Sequence, residues 1–135
     1  MCAMRILIFN IMSLSEKVEF IETFKKRTKR FVVDTIFFYR ELPKTEEARI
    51  IGRQLLRSSS SAGANYRAAC RGRSKAEFFS KMCIVVEEMD ESVFWMEILI
   101  EAEVISEQKI RNLLKEANEI LAVVSTARKT ASIKK

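Results

Sequence analysis

The sequence predicts an all-α protein, an antiparallel up-and-down four-helix bundle, from three observations. Its 135 residues are enough for one domain with a substantial core. Three glycines and one proline are too few for a sheet protein, which needs a turn about every ten residues. Apolar residues recur every three or four positions through long segments, the period of an amphipathic helix. We expect residues 1–12 to form an N-terminal extension, 13–128 the bundle and 129–135 a basic tail.

The first helix is predicted from Ser13 to Glu41. Ser13 and Glu16 have the S-x-x-E spacing of a capping box, and Pro43 disfavours helical geometry at the residue before it. The apolar residues recur at helical intervals and are Phe20, Phe24, Phe31, Phe38 and Leu42.

The second helix is predicted to start after Thr45, a capping residue followed by two glutamates that suit the positive end of a helix dipole. It continues through a serine run as far as Arg71, because the apolar phase is the same before and after the serines. That phase is set by Ala48, Ile51, Leu55, Ala62, Tyr66 and Ala69. Gly72 suits a C-terminal cap and a tight corner.

The third helix is predicted over about residues 74–103 and the fourth from Ser106 to about residue 128. Ser74 and Glu77 form a second capping box at the start of the third helix. Its seam consists of Phe78, Met82, Val85, Met89, Val93, Met96 and Ile100. The stripe of the fourth helix consists of Ile110, Leu113, Ala117, Ile120 or Leu121, and Val124.

Composition restricts the classes of function. The chain is 48% hydrophobic and 31% charged, which excludes a disordered protein, and no apolar run approaches the ~18 residues of a membrane span. Cys2, Cys70 and Cys83 lack C-x-x-C spacing, so we interpret them as reduced thiols. The apolar part of the N-terminus is too short for a signal peptide and no small-residue cleavage site follows it. We therefore expect a cytoplasmic protein with no membrane partner.

The second helix carries a stripe of arginines opposite its apolar side. At about 100° per residue they fall within an arc of about 80° and extend over about 33 Å. The stripe consists of Arg49, Arg53, Arg57, Arg67 and Arg71. The first helix adds the run KKRTKR, whose cations are Lys25, Lys26, Arg27, Lys29 and Arg30. Because planar guanidinium groups suit phosphates, these ten residues are our candidate surface for RNA or DNA, bound without strong sequence specificity.

Two other interpretations of these cations stay open. They could serve only for solubility or pair with the third helix, which carries eight acidic and two basic residues over residues 74–105. They could also bind an acidic protein partner. In both cases the protein would be a structural or protein–protein interaction module without a nucleic-acid ligand.

The third helix has a second partly apolar face, opposite its seam. The face consists of Ile84, Glu87, Glu91, Trp95 and Ile98. A monomeric bundle needs only one apolar face per helix, so this face predicts a subunit interface with Trp95 as its anchor. The alternative is that Trp95 turns into the core of its own subunit and the carboxylates are simply solvated.

No catalytic or metal site is expected. Glu87 and Glu91 stand one helical turn apart, but di-iron bundles use Glu-x-x-His pairs and the chain has no histidine. Ser/His/Asp and Cys/His arrangements are excluded for the same reason, and no phosphate-binding glycine motif occurs. We predict no enzymatic activity and no cofactor. Asn65 is predicted to be a buried structural residue that hydrogen-bonds to partners such as Glu87 or Glu91.

About half of the chain, from Leu42 to Ile105, resembles the four-helix-bundle family of 23S rRNA intervening-sequence proteins. The matching residues are Ala64-Asn65-Tyr66-Arg67, then Arg71 to Ser74 with Lys75, Glu77 and Phe78, then Glu87, Glu91 and Trp95. The chain departs from the family pattern at Ala68, where many members carry an acid.

The resemblance implies an antiparallel bundle that assembles as a homopentamer, with a charged, often basic, surface and no established enzymatic activity. The family name records that some of the genes lie in insertions within ribosomal RNA genes and does not establish a ribosomal role. Distant relatives are accessory proteins of diversity-generating retroelements, where a basic pentameric barrel holds nucleic acid beside a reverse transcriptase. The resemblance thus suggests three partners: other copies of the chain, RNA or DNA, and a reverse transcriptase.

Overall fold

Four long helices form the bundle in a computed structural model that describes residues 11–133. They are α1 (Leu14–Arg40), α2 (Glu46–Cys70), α3 (Lys75–Glu101) and α4 (Glu107–Ile133), and no strand occurs within this range. Each helix packs on its neighbours in the chain, and a smaller contact between α1 and α4 closes the ring. Short corners make consecutive helices antiparallel. The predicted all-α four-helix architecture is therefore confirmed, while Cys2 and most of the expected N-terminal extension lie outside the described residues.

The predicted capping residues hold the starts of α1 and α2. The backbone N–H of Ser13 donates to Glu16 Oε2 at 2.6 Å, and the N–H of Glu16 donates to Ser13 Oγ at 3.3 Å. The donation from the Ser13 backbone lowers the pKa of the Glu16 carboxyl. At α2 the Thr45 hydroxyl accepts from the N–H of Ala48 at 3.4 Å. Local sequence thus fixes both helix starts.

The corner between α2 and α3 differs from the prediction in its details. Ser74 Oγ accepts from the N–H of Glu77 at 3.1 Å, but the Glu77 carboxylate accepts from the N–H of Arg73 instead of from Ser74. Gly72 N–H donates to the carbonyl of Ala69 at 3.0 Å, and Gly72 has no positive φ. This glycine therefore follows the cap without using the left-handed conformation that favours glycine.

The only described residue with a positive φ outside glycine is Glu103, with φ of 56°, in the corner between α3 and α4. Its N–H donates to the carbonyl of Ile100 at 3.0 Å, and the N–H of Val104 donates to Leu99 at 3.0 Å. These bonds satisfy the last carbonyls of α3 and turn the chain towards α4. Left-handed backbone geometry is strained for a residue with a side chain, so Glu103 needs stabilisation from its surroundings. The hydrogen bonds of this corner provide it.

The fourth helix extends to Ile133, five residues beyond its predicted end and into the segment expected to be a basic tail. Thr126 and Thr130 donate their hydroxyls to carbonyls four residues earlier, at 2.9 and 3.0 Å, which is compatible with the helix. Ala127 packs against the core near this end of the bundle. This last turn is thus continuous with the helix.

The core follows the predicted apolar phases closely. Phe24 and Phe31 are the buried apolar residues of α1. The fully buried apolar side chains come from the other three helices and include Leu55, Met82, Val85, Met89, Met96, Leu99, Ile110, Ile120 and Val124. In α4 the buried residue is Ile120, and Leu121 is half-buried. Phe20 departs from its predicted place, since 41% of it is exposed; its ring stacks on Phe24 with the centroids 6.0 Å apart.

The serine run of α2 is part of the core. Ser58 and Ser59 are fully buried, and Ser58 Oγ shares a hydrogen bond of 2.8 Å with Ser92 Oγ of α3. Each hydroxyl has one proton, so Ser92 Oγ donates to the carbonyl of Glu88 at 2.8 Å and accepts from Ser58 Oγ, which also lies 3.2 Å from the carbonyl of Leu55. Small hydroxyl side chains thereby let the two helices approach while every buried side-chain nitrogen and oxygen of the described residues has a partner.

Asn65 corrects one prediction. Its side chain is half-buried, and its Nδ2 donates to the carbonyl and to the hydroxyl of Ser61 at 2.9 and 3.1 Å. Both partners lie one turn earlier in the same helix, and neither is Glu87 or Glu91. The buried polar residues are instead Thr28, Thr35, Ser58, Ser59 and Ser92.

Over the described residues, none of the helices is both long and apolar enough to cross a bilayer.

Candidate nucleic-acid interface

The arginine stripe of α2 is on the surface. All five predicted members, Arg49, Arg53, Arg57, Arg67 and Arg71, are exposed. Within residues 11–133, four of them form no ion pair; the exception is Arg57. Unpaired guanidinium groups in solvent are free to bind anions, and α2 holds them on one side because they repeat at near-helical intervals.

Arg57 is paired with the acidic helix α3. Its Nη1 donates to Glu88 Oε2 at 3.1 Å, and its Nη2 donates to the carboxylate of Glu91. The same Glu91 carboxylate accepts from Trp95 Nε1 at 3.1 Å. For this one arginine, the interpretation as a partner of α3 is correct. Its charge is locally compensated, unlike that of the other four.

The lysine and arginine run of α1 is divided between two neighbouring helices. Lys25 forms an ion pair with Glu22 of its own helix at 3.0 Å. Arg27 points to α4, where it contacts Glu116 at 2.6 Å and Glu119 at 2.8 Å. A helical run of six residues turns through more than one full circle, so its cations cannot all face the same neighbour.

The pair between Arg27 and Glu116 is the best defined of the ion pairs. Two guanidinium nitrogens of Arg27 donate to the two carboxylate oxygens of Glu116, at 2.9 and 2.6 Å. This donation lowers the pKa of the Glu116 carboxyl and raises that of the Arg27 guanidinium. Arg27 therefore joins α1 to α4 and is withdrawn from the candidate nucleic-acid surface.

The remaining cations of the run are oriented differently. Arg30 lies in solvent and pairs with Asp34 at 2.9 Å. Lys26 and Lys29 are exposed and form no ion pair with any described residue. They face α2, where they share a groove with two members of the arginine stripe.

This groove runs between α1 and α2 and has a volume of about 530 Å³. Its charged lining consists of Lys25, Lys26 and Lys29 from α1, Arg67 and Arg71 from α2, and one acid, Glu22. Because Lys25 and Glu22 compensate each other, four uncompensated cations face one concave surface. Two separate sequence features therefore become one site through the antiparallel packing of their helices.

The floor of the groove is apolar. Val32 and Val33 of α1 and Gly63 and Ala64 of α2 form it, and they adjoin the cations at one end of the groove. A Cβ atom on Gly63 would stand 2.6 Å from Val32 Cγ2, so the glycine permits the close approach of the two helices. Ala64 is exposed, which leaves space above it. Sequence analysis missed this groove because its two walls come from residues 22–33 and 60–71, which are brought together only when α1 packs on α2.

The second face of α3 is partly exposed. Ile84 is 36% exposed and Glu87 is exposed, whereas Ile98 and Trp95 are half-buried. The Trp95 ring also packs against the core. It therefore contacts the core of its own subunit and still contributes to the partly exposed face. Phe94, which the sequence analysis did not include, is 50% exposed and lies edge-on to Trp95 with centroids 4.9 Å apart.

The described residues offer little for covalent or metal chemistry. No group of three or more Cys, Asp or Glu side chains among them is placed to hold a metal ion. Cys70 and Cys83 are free thiols, and burial raises the pKa of Cys70. Burial also raises the pKa of the neighbouring Tyr66 phenol. Both groups are therefore held protonated, and what the surface can do chemically is bind anions.

Comparison with known proteins agrees with this architecture. The sequence profile of the family described as 23S rRNA-intervening sequence protein matches residues 22–126. A crystal structure of a protein of unknown function from the S23 ribosomal protein family of Bacteroides thetaiotaomicron is 30% identical in sequence, with a TM-score of 0.72. The similarity covers 78% of this chain and 97% of that one. No curated protein matches the chain.

Proposed function

The chain belongs to the 23S rRNA-intervening sequence protein family, and from that premise we propose that it is a non-enzymatic bundle that binds RNA or DNA. The binding is without strong sequence specificity, because the contacts available are cations for the phosphate backbone. The observation that carries the proposal is a set of six exposed cations that lie on α2 and along its groove with α1 and form no ion pair with a described residue. The set consists of Arg49, Arg53, Arg67, Arg71, Lys26 and Lys29.

The spacing of these cations supports the proposal. Arg49 and Arg71 are 22 residues apart on one helix, which corresponds to about 33 Å along its axis at 1.5 Å per residue. A single small anion occupies only a few ångströms of such a surface, whereas a nucleic-acid strand presents one phosphate after another over the whole length. The formal net charge of +6 also favours association with polyanions.

The test is the salt dependence of binding to mixed-sequence oligonucleotides. The logarithm of the binding constant is expected to fall linearly with the logarithm of salt concentration, with a slope of about −0.7 per phosphate contact for a single strand. Replacing four stripe arginines by glutamine is expected to make the slope shallower by about 3. The four substitutions are Arg49→Gln, Arg53→Gln, Arg67→Gln and Arg71→Gln.

A charge-matched control separates a binding surface from net charge alone. Four exposed cations on other parts of the bundle are replaced by glutamine, which gives the same net charge as the stripe variant. They are Lys44, Arg111, Lys115 and Lys129. The proposal requires that this control keep most of the wild-type slope. Equal losses in both variants, or no oligonucleotide binding at low salt by the wild-type protein, would overturn it.

The second candidate function is assembly with other copies of the chain, as a homopentamer or as an interaction module without a nucleic-acid ligand. It is favoured by the exposed apolar groups of α3 beside its carboxylates, including Ile84 and Phe94, because apolar side chains are rarely clustered on the free face of a monomeric bundle. The proposed interface remains Ile84, Glu87, Glu91, Trp95 and Ile98. A reverse-transcriptase partner stays an expectation from the resemblance.

Light scattering at micromolar concentration tests the assembly. A pentamer has five times the mass of one chain, and Trp95→Ala or Ile84→Glu is expected to reduce that mass. Ile84→Glu keeps the test independent of folding, since Ile84 is already more than one-third exposed. Ile50→Ala, at an exposed isoleucine of α2, is the control. A monomeric wild-type protein, or variants that assemble fully, would exclude this interface.

A further inference from the structure

The groove between α1 and α2 combines two properties that a general phosphate-binding surface does not need. It is concave, with a volume of about 530 Å³, within the range of about 300–1,000 Å³ typical of small-ligand sites. It also has an apolar floor next to its cations, formed by Val32, Val33, Gly63 and Ala64. A surface that only attracts phosphates would work equally well if it were flat and polar.

The cations of the groove are arranged in two opposing rows. Lys26 and Lys29 stand on α1, three residues or about 4.5 Å apart along the axis, and Arg67 and Arg71 stand on α2, about 6 Å apart. None of the four forms an ion pair with a described residue, while the fifth cation of the lining, Lys25, is compensated by Glu22. A ligand that extends from the floor along the groove would therefore meet cations of both helices.

We propose that this groove binds a nucleotide of a single-stranded nucleic acid, with the base on the apolar floor and the flanking phosphates on the two rows of cations. This inference rests on the proposed function and specifies the form of nucleic acid. In a duplex the base faces are stacked inside and only the phosphates, sugars and base edges are accessible, so no base face can cover the floor. A single strand exposes its base faces for contact with apolar groups and with the planes of arginine side chains.

Ala64 is the residue through which the groove can be tested without changing charge. It is exposed and lines the apolar floor beside the cations, so Ala64→Leu takes up space that a base would occupy. Gly63 is unsuitable because a side chain there would press on Val32 and separate the helices. Ala76→Leu, at an exposed alanine in the first turn of α3, is the matched control.

The experiment measures fluorescence anisotropy with three probes of equal length: a labelled single strand, its duplex, and a single strand of abasic sugar-phosphate. The wild-type protein is expected to bind the single strand about tenfold more tightly than the duplex or the abasic strand. Ala64→Leu is expected to reduce single-strand affinity to the level of the duplex and to leave the other two affinities unchanged. Circular dichroism checks that both variants remain helical.

The outcomes separate this inference from the proposal on which it rests. Equal affinity of the wild-type protein for the single strand and the abasic strand, or an Ala64→Leu variant that keeps the preference, overturns the groove while leaving phosphate binding intact. Failure to bind any of the three probes at low salt overturns both.

Two double variants test whether the arginines of the groove contribute more to single-strand binding than the other arginines of the stripe. Arg67→Gln with Arg71→Gln is expected to weaken single-strand binding about tenfold more than Arg49→Gln with Arg53→Gln, although both pairs remove two arginines from α2. Equal weakening by the two pairs would mean that the groove has no special role.

Discussion

The interfaces of α2 with α3 and with α1, called seams below, both bring two helices close together, but through different residues. Against α3, buried serines bring the helices together, and Arg57 is compensated by Glu88 and Glu91. Against α1, a glycine permits the close approach, and the neighbouring arginines face lysines instead of carboxylates. Arginines of one stripe are therefore structural on one side of α2 and available to a ligand on the other. Whether an arginine is paired depends on which helix lies beside it, and the periodicity of α2 alone does not reveal this.

The largest expected effect concerns the glycine of the α1/α2 seam. Gly63→Val should lower the free energy of unfolding by about 1–3 kcal/mol, since its Cβ would overlap Val32. Adding Val32→Ala should restore part of the loss. Urea unfolding measures both; valine has a higher helix propensity than glycine, so propensity alone would stabilise Gly63→Val and cannot account for a loss. An unchanged stability in Gly63→Val would show that this seam is loosely packed and would remove the contrast between the seams.

The α2/α3 seam should respond to the loss of its buried hydroxyl pair. Ser92→Ala removes the bonds to Ser58 and to the carbonyl of Glu88, and we expect it to cost about 1 kcal/mol relative to Ser80→Ala. Ser80 is exposed on the same helix, so the control has the same gain in helix propensity. Thermal unfolding of the two variants gives the difference. A difference of zero would mean that the serines contribute through their small size and not through their hydrogen bonds.

The two kinds of arginine should separate in stability measurements. Arg57→Gln is expected to lower the free energy of unfolding by about 0.5–1 kcal/mol, because the exposed pair with Glu88 and Glu91 is lost. Arg67→Gln, ten residues later, removes no ion pair and should change stability by less than about 0.5 kcal/mol. Chemical denaturation in low salt compares them, and a larger loss for Arg67→Gln would contradict the division of the stripe.

The smallest effect is the pH dependence of the α1/α4 pair. Arg27 lowers the folded-state pKa of Glu116, so the pair stabilises the fold above the unfolded-state value of about 4.3. That contribution is lost as the pH falls through the lowered folded-state pKa. Both groups are partly exposed, so Arg27→Gln should cost about 0.5 kcal/mol at pH 7.

The same variant should be nearly neutral in acid. Denaturation of the wild-type protein and Arg27→Gln at pH 7 and near pH 2.5 tests this directly. A difference that is the same at both values would indicate that Arg27 acts through packing of its aliphatic part and not through its charge.

Most of the fold could be predicted because it depends on local rules. Ser13 and Thr45 cap their helices through groups within three residues, and the apolar phases of α2 and α3 identify buried residues such as Leu55 and Met89. The serine run was assigned to a helix for the same reason: Ala62 resumes the phase set by Leu55. Local chemistry and helical period agree throughout these segments.

What could not be predicted depends on distances between helices. Asn65 was expected to reach across to α3, but an acceptor within its own helix, the carbonyl of Ser61, is nearer and costs no reorganisation. Arg57 could not be distinguished from Arg53 by sequence, since only the position of α3 pairs it with acids. The left-handed residue of the third corner is Glu103, for which no residue preference gave a signal. The groove itself exists only once α1 and α2 are packed.

Trp95 can serve as an intrinsic fluorescence probe. It is the single tryptophan of the chain, its indole N–H donates to Glu91, and one side of its ring packs on the core while Phe94 lies edge-on to it. Its emission will therefore respond to unfolding, to loss of the hydrogen bond with Glu91, and to anything that shields the outer surface of α3 from water. The wavelength of that emission can be followed on dilution without a label or an added probe.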